Sequence, residues 1–176
     1  MHPGTRRVLA AVDWLNHGIG YLMSAALGVM VVCTMLQVIV RFLLTRFGIL
    51  MSVPWTEELA RYLMIWIIFL GSAVACRRGQ FIALEFLVEA APVPIARMLR
   101  VLAVGISLAF YVLLVWLGWR YVTGNLIERS PVMTIAMEWV YLSLPVSAVL
   151  MVVNTLCFLV DGGGADDLEP AETYVD

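Results

Sequence analysis

Four long runs without a charged residue constrain this chain more than anything else in it. No Asp, Glu or Arg occurs over the 27 positions from Trp14 to Val40, the 15 from Tyr62 to Cys76, the 19 from Val101 to Trp119 or the 22 from Trp139 to Val160. A helix crossing a bilayer core needs about 20 mostly apolar residues. Leu59 and Ala60 lengthen the second run to that scale, and charge bounds each run: Arg41, Arg61 with Arg77, Arg100 with Arg120, Glu138 with Asp161. Trp14, Trp55, Trp116, Trp119, Tyr121, Trp139 and Tyr141 lie near the run ends, where interfacial aromatic belts form. The expected class is therefore an all-α integral membrane protein. Its spans are placed at about 15–41, 58–77, 100–120 and 139–160, with one or two short interfacial helices.

Composition agrees. Hydrophobic residues make up 62% and charged residues 14%, against roughly 45–50% and 25% in soluble domains. A core of this size could not hide that much apolar surface from water, and disorder fails for the same reason. There is no Lys, and the eleven basic residues are all Arg. Taking away the six acids of residues 161–176 turns the formal charge of −2 into +4. The chain thus reads as a basic membrane body, residues 1–160, followed by an acidic, flexible tail. No dense basic patch with interleaved aromatics suggests nucleic-acid binding.

The amino terminus does not read as a cleavable signal peptide, because Asp13 interrupts the apolar stretch and that stretch is too long. Val8, Leu9, Val12 and Leu15 share one helical face, which fits a short interfacial helix or the start of one longer first helix. Phe81–Ala91 is apolar but covers only about 16 Å as a helix, too short to span. Pro92 and Pro94 end it, so an interfacial helix with Glu85 and Glu89 on its wet side is expected at 81–91. An amino terminus inside puts Arg6, Arg7, Arg77, Arg78, Arg97 and Arg100 in the cytoplasm, against Arg41, Arg46, Arg61, Arg120 and Arg129 opposite. If Arg41 and Arg61 pair with Glu57 and Glu58, the balance is six to three, and both termini are cytoplasmic.

Several chemistries lack their residues. Cys33, Cys76 and Cys157 lie in or at the ends of apolar runs without a Cys-x-x-Cys pair, as inert buried thiols do. His2 and His17 are the only histidines, which leaves a haem bundle short of axial ligands. The span interiors hold no Asp for an intramembrane peptidase and no carboxylate for an ion-coupled carrier. No catalytic, cofactor or metal residue is therefore assigned. The polar residues within the runs, among them Ser24, Thr34, Gln37, Ser72, Ser143, Ser147, Asn154 and Thr155, are expected to join helices. Gly20, Ser24 and Gly28 form a small-residue stripe on span one, and Gly71 and Ala75 do so on span two. Both predict close helix packing or a docked partner. Pro145 is expected to bend span four.

One charged constellation remains: Arg41, Trp55, Glu57, Glu58 and Arg61. Thr56 is a plausible N-cap, with Glu57 and Glu58 in the first helical turn. Glu57 and Arg61 have i, i+4 spacing. The group is read either as an ion-pair clamp between spans one and two or as a contact for a partner protein or polar ligand.

These residues also carry a family resemblance. Arg41, the block Trp55-Thr56-Glu57-Glu58-Leu59-Ala60-Arg61, Trp66, Phe69-Leu70-Gly71-Ser72-Ala73 and Arg77-Arg78-Gly79-Gln80-Phe81-Ile82 together resemble the small membrane subunit, DctQ type, of tripartite ATP-independent periplasmic (TRAP) transporters. Family members commonly carry His where Phe81 stands and Asp where Glu85 stands. The resemblance implies a non-catalytic scaffold in the bacterial inner membrane, surrounded by lipid and partnered by a large multi-span permease subunit that carries substrate and sodium. A periplasmic binding protein would deliver the substrate, often an organic acid, and the small subunit would help dock it. The loop motif Arg77, Arg78, Gly79, Ile82 and Glu85 belongs to the same resemblance. The alternatives are a small membrane enzyme or electron-transfer subunit, and an autonomous homo-oligomeric carrier.

Overall fold

A computed structural model describes residues 3–44, 46, 53–78, 93–124 and 128–161. Helix α1 runs Pro3–Ile39 and passes into a π-helical turn, Val40–Leu44. Then come α2, Pro54–Arg77; α3, Val93–Gly124; a short α4, Glu138–Tyr141; and α5, Ser143–Val160. Four segments are long and apolar enough to cross a membrane: Thr5–Leu43, Pro54–Arg77, Met98–Gly124 and Glu138–Val160. The chain is an all-α, multi-pass membrane protein.

Local chemistry explains the helix ends. The first helix is continuous, so residues 8–15 are its first turns and not a separate interfacial element. At about 55 Å it exceeds the ~30 Å hydrocarbon core, and its polar start extends beyond the apolar zone. The N-cap reading of Thr56 is corrected. Pro54 opens α2, with Val53 as the cap residue, because proline's fixed φ and missing N–H suit the first helical position. Thr56 lies inside the first turn, and its hydroxyl donates back to the Val53 carbonyl at 2.7 Å. Span four breaks at Leu142, three residues before Pro145, which cannot donate to the carbonyl of Tyr141. The Ser143 hydroxyl donates to Val140 O at 2.7 Å and the Ser147 hydroxyl to Ser143 O at 2.6 Å. The proposed interfacial helix at 81–91, and the tail beyond Asp161, lie outside the described residues.

The helices pack as a row. α1 lies along α2, α2 along α5, and α5 along α3, so span four sits between spans two and three. The order matters because it leaves α1 and α3 on the outside. Their outward faces carry large exposed side chains, including Tyr21, Leu22, Val32, Met98, Ile106 and Phe110. The buried side mixes small apolar and polar residues: Ala73 and Ala148, with Thr56, Ser143, Ser147, Asn154 and Thr155, are essentially inaccessible. This mixture follows from the solvent. Apolar side chains gain nothing by leaving lipid, so helices join through small and hydrogen-bonding residues. The closest seam is α3 against α5. A Cβ built on Gly118 would stand 2.9 Å from Pro145 Cδ and 3.1 Å from Pro145 N.

Candidate functional site

Two polar networks cap the ends of α2. Glu58 and Arg77 are 19 residues apart, about 28 Å along a helix, close to the thickness of a bilayer core. Charged groups therefore mark both membrane surfaces, and the described interior between them is free of ion pairs.

At the end bearing Glu58, the carboxylate is a hub. It accepts the Tyr62 hydroxyl at 2.7 Å, the Met133 backbone N–H at 2.9 Å and the Ser130 hydroxyl. Ser130 and Met133 belong to a small hairpin between α3 and α4. Ser130 N donates to Ile135 O at 2.9 Å, Met137 N donates to Glu128 O at 3.0 Å, and Arg129 bridges Ala136. Thr134 turns it at φ 52, a left-handed conformation that costs a β-branched residue strain. The hairpin thus holds its shape against Glu58. Val132, Ile135, Trp139 and, on α2, Trp55 are exposed around it. Tyr121 and Tyr141 meet edge to face at 4.8 Å, and the Tyr141 hydroxyl donates to Glu128 at 2.6 Å. Beneath the hairpin lies a largely apolar cavity of about 530 Å³, lined in part by Tyr62, Phe69, Gly118 and Leu144.

The predicted constellation is rearranged. Glu57 pairs with Arg61 at 2.9 Å, as the spacing requires, and accepts Gln37 Nε2 at 3.2 Å. Gln37, not Arg41, is the residue of the first span that reaches Glu57. Arg41 is exposed and makes no ion pair among the described residues. The reason is register: the π-helical turn keeps Val40 buried but leaves Arg41, Phe42 and Leu43 exposed. Glu58 meets hydroxyls and a backbone N–H in place of arginine. With Arg41 unpaired, and with the paired Arg61 and Arg77 both set aside, the arginine balance between the two ends becomes five to four.

At the opposite end, Arg77 ties three helices. Its Nε donates to Asp13 Oδ1 at 2.8 Å and one terminal nitrogen to Asp13 Oδ2 at 3.3 Å, while that nitrogen also pairs with Asp161. Asp13 is on α1, and Asp161 follows α5. Asp161 therefore belongs to the membrane body and not to a free tail, and both ends of the described chain lie on one side. One turn inward, Asn16 and Asn154 form a reciprocal amide pair at 2.7 and 3.0 Å, and Asn154 also donates to Ala73 O at 2.6 Å. On the α2–α3 side, Cys76 Sγ lies 3.4 Å from the Tyr111 hydroxyl.

Sequence reasoning missed the Arg77 triad, though its signal was available: with four spans, Asp13, Arg77 and Asp161 fall at the same membrane surface. The Asn16–Asn154 pair was legible only as two amides at matching depth. The Ser130 and Met133 contacts had no signal, since a loop's fold decides them. The stripe on α1 does not pack within this chain, because a Cβ on Gly20 or Gly28 meets nothing within 4 Å. Gly71 faces Met23 Sδ at 3.7 Å. Of the loop motif, Arg77 and Arg78 are described, while Gly79, Ile82 and Glu85 lie outside the described residues. Among the described residues no group of His, Cys, Asp and Glu could hold a metal ion.

Residues 30–162 match the family model described as the DctQ component of tripartite ATP-independent periplasmic transporters. Two proteins of Vibrio cholerae serotype O1 are similar to the chain. The C4-dicarboxylate TRAP transporter small permease protein DctQ is 26% identical over 110 residues, 62% of this chain and 45% of that protein. The sialic acid TRAP transporter small permease protein SiaQ is 30% identical over 103 residues, 58% and 59% respectively. The chain thus spans about half the length of the relatives it matches.

Proposed function

The chain belongs to the DctQ family of TRAP transporter components, a family of transport components and not of enzymes, and from that premise we propose that it is a scaffold for a separate substrate-carrying permease. The observation that carries this reading is the breadth of the exposed apolar faces on the outer helices of the row. Asn16, Asn154, Gln37 and Arg77 join its spans to one another, while Ser24, Thr34 and Ser72 donate to carbonyls of their own helices, and its outer helices offer broad apolar faces suited to lipid and to another membrane protein. No carboxylate lies deep in the described spans to bind a coupling ion. Sodium coupling and binding of an organic acid therefore reside in the large multi-span subunit.

In this reading the chain lies in the bacterial inner membrane with both termini cytoplasmic, the side favoured by five arginines to four. The Glu58 hairpin, Arg41 and Trp55 then face the periplasm and meet the binding protein. A hairpin locked to α2 suits docking, because a preordered surface loses little entropy on binding.

The test is genetic and biochemical. A tag on this chain should copurify a large multi-span membrane protein, and deleting the gene should abolish sodium-dependent uptake of an organic acid. Uptake that survives deletion, or transport by this chain alone in liposomes, would sink the proposal.

A further inference from the structure

Helices α2 and α3 both pack on α5 but not along each other. They touch near the Arg77 end, where Cys76 Sγ lies 3.4 Å from the Tyr111 hydroxyl. Toward the hairpin they part, and the cavity of about 530 Å³ occupies the space between them, with Leu144 of α5 in its wall and Pro131 and Val132 of the hairpin over it. On α2 its lining runs from Glu58 to Phe69. That is about 16 Å along the helix, one leaflet's share of a ~30 Å hydrocarbon core.

The lining decides what can fill this space, because each polar side chain in it already has a partner. Glu57 holds Arg61, and Glu58 accepts Tyr62 and the hairpin. Tyr141 donates to Glu128, and Ser143 to the carbonyl of Val140. Tyr121, edge to face on Tyr141, is engaged as well. No side-chain hydroxyl or charge is left over for a polar guest, or for waters, which need about two to four polar partners each. An apolar cavity that water does not fill takes apolar guests. A helix about 10 Å wide over about 16 Å would displace roughly 1,250 Å³, more than twice the cavity, so no partner helix enters it. A single hydrocarbon chain is slender enough, and the bilayer around these spans supplies one.

We propose that this cavity is a site for one acyl chain of a phospholipid from the leaflet on the hairpin side. The chain enters between α2 and α3, passes Ile65 and ends near Phe69, about halfway across the hydrocarbon core. It is chosen by shape and not by headgroup, because the Glu57–Arg61 pair at the mouth is neutral as a unit. A chain in place packs against Val132 and Met137 and braces the hairpin from below. The site does not depend on the transporter assignment.

Photolabelling of the full chain in detergent, with a phosphatidylcholine that carries a diazirine midway along one acyl chain, tests it. Labelling at Ile65, Phe69 and Leu144 should saturate as lipid is added, while labelling of the outward residues Ile106 and Phe110 keeps rising. Unlabelled phosphatidylglycerol and phosphatidylethanolamine should compete equally well for the saturable part. Ile65→Trp, which fills the cavity, should lower that part by about fivefold or more, the lower end of what overpacking costs, and leave the outward labelling as it was. Cavity labelling in the unaltered chain that saturates no sooner than the outward labelling overturns the proposal, as does saturable labelling that Ile65→Trp leaves intact. Cavity labelling that appears only after a copurified membrane protein is stripped away also overturns it, and would make the cavity a seat for that protein's side chains.

Discussion

Glu58 and Arg41 differ in what each touches, and this separates folding from recognition. Three groups donate to Glu58, and two of them come from the hairpin. Truncating it leaves the buried Ser130 hydroxyl without its acceptor, and the Met133 N–H with only Ser130 Oγ at 3.2 Å, the costly way to break a hydrogen bond. Glu58→Ala should therefore raise protease cleavage within residues 128–137 by about tenfold or more, the factor that one lost charge-assisted hydrogen bond is worth. Arg41→Ala should change stability by less than about 0.5 kcal/mol, as exposed substitutions do. If Arg41→Ala nevertheless weakens copurification of a partner, Arg41 is a contact and not a clamp. Cleavage of the hairpin that is indifferent to Glu58 would remove the hub from the account.

At the scale of elements, glycines decide how the row is spaced, and their chemistry does not distinguish them. Gly118 sits against Pro145, where a Cβ would approach to 2.9 Å, whereas Gly20 and Gly28 face open space. Gly118→Val should push α3 away from α5 and cost about 1–3 kcal/mol, the usual range for overpacking. Gly28→Ala should be neutral or slightly stabilising, since alanine restricts the unfolded chain and favours helix. Unfolding in a graded mixture of denaturing and mild detergent compares the two. Equal costs would contradict the packing order. The sequence singled out the i, i+4 stripes and passed over Gly118, because a lone glycine has no pattern. Which helix it meets depends on the 1–2–4–3 order of spans, a tertiary property.

For the whole molecule, Arg77 is the fastener at the end of the row where the chain ends meet. It joins α1, α2 and the residue following α5. Removing one partner of a fully buried charge group costs about 3–5 kcal/mol. Here Asp13 and Asp161 keep 47% and 34% of their side-chain surface open, so solvent screens much of that. Arg77→Ala should cost about 1–2 kcal/mol, and raising the salt concentration should shrink its difference from the unaltered chain. A salt-insensitive difference would mean that Arg77 contributes by packing and not by charge.

The sequence by itself determined that this chain is a four-span helical membrane protein. Uncharged runs of span length, bounded by Arg and aromatic residues, admit almost no other fold, because lipid cannot satisfy a backbone left unpaired. The same residues carried the family, through the Trp55–Arg61 block. The charged constellation was only half legible: Glu57–Arg61 follows from helical spacing, but the partners of Glu58 and Arg77 do not. Only the tertiary structure decided those, by placing span four between spans two and three, folding residues 128–137 back onto α2 and bringing Asp13 and Asp161 to one guanidinium. The physical reason is the range of the forces. Hydropathy and i, i+4 spacing act along the chain and can be read there. Polar pairing between helices depends on which faces meet, and in lipid no hydrophobic pattern announces that choice.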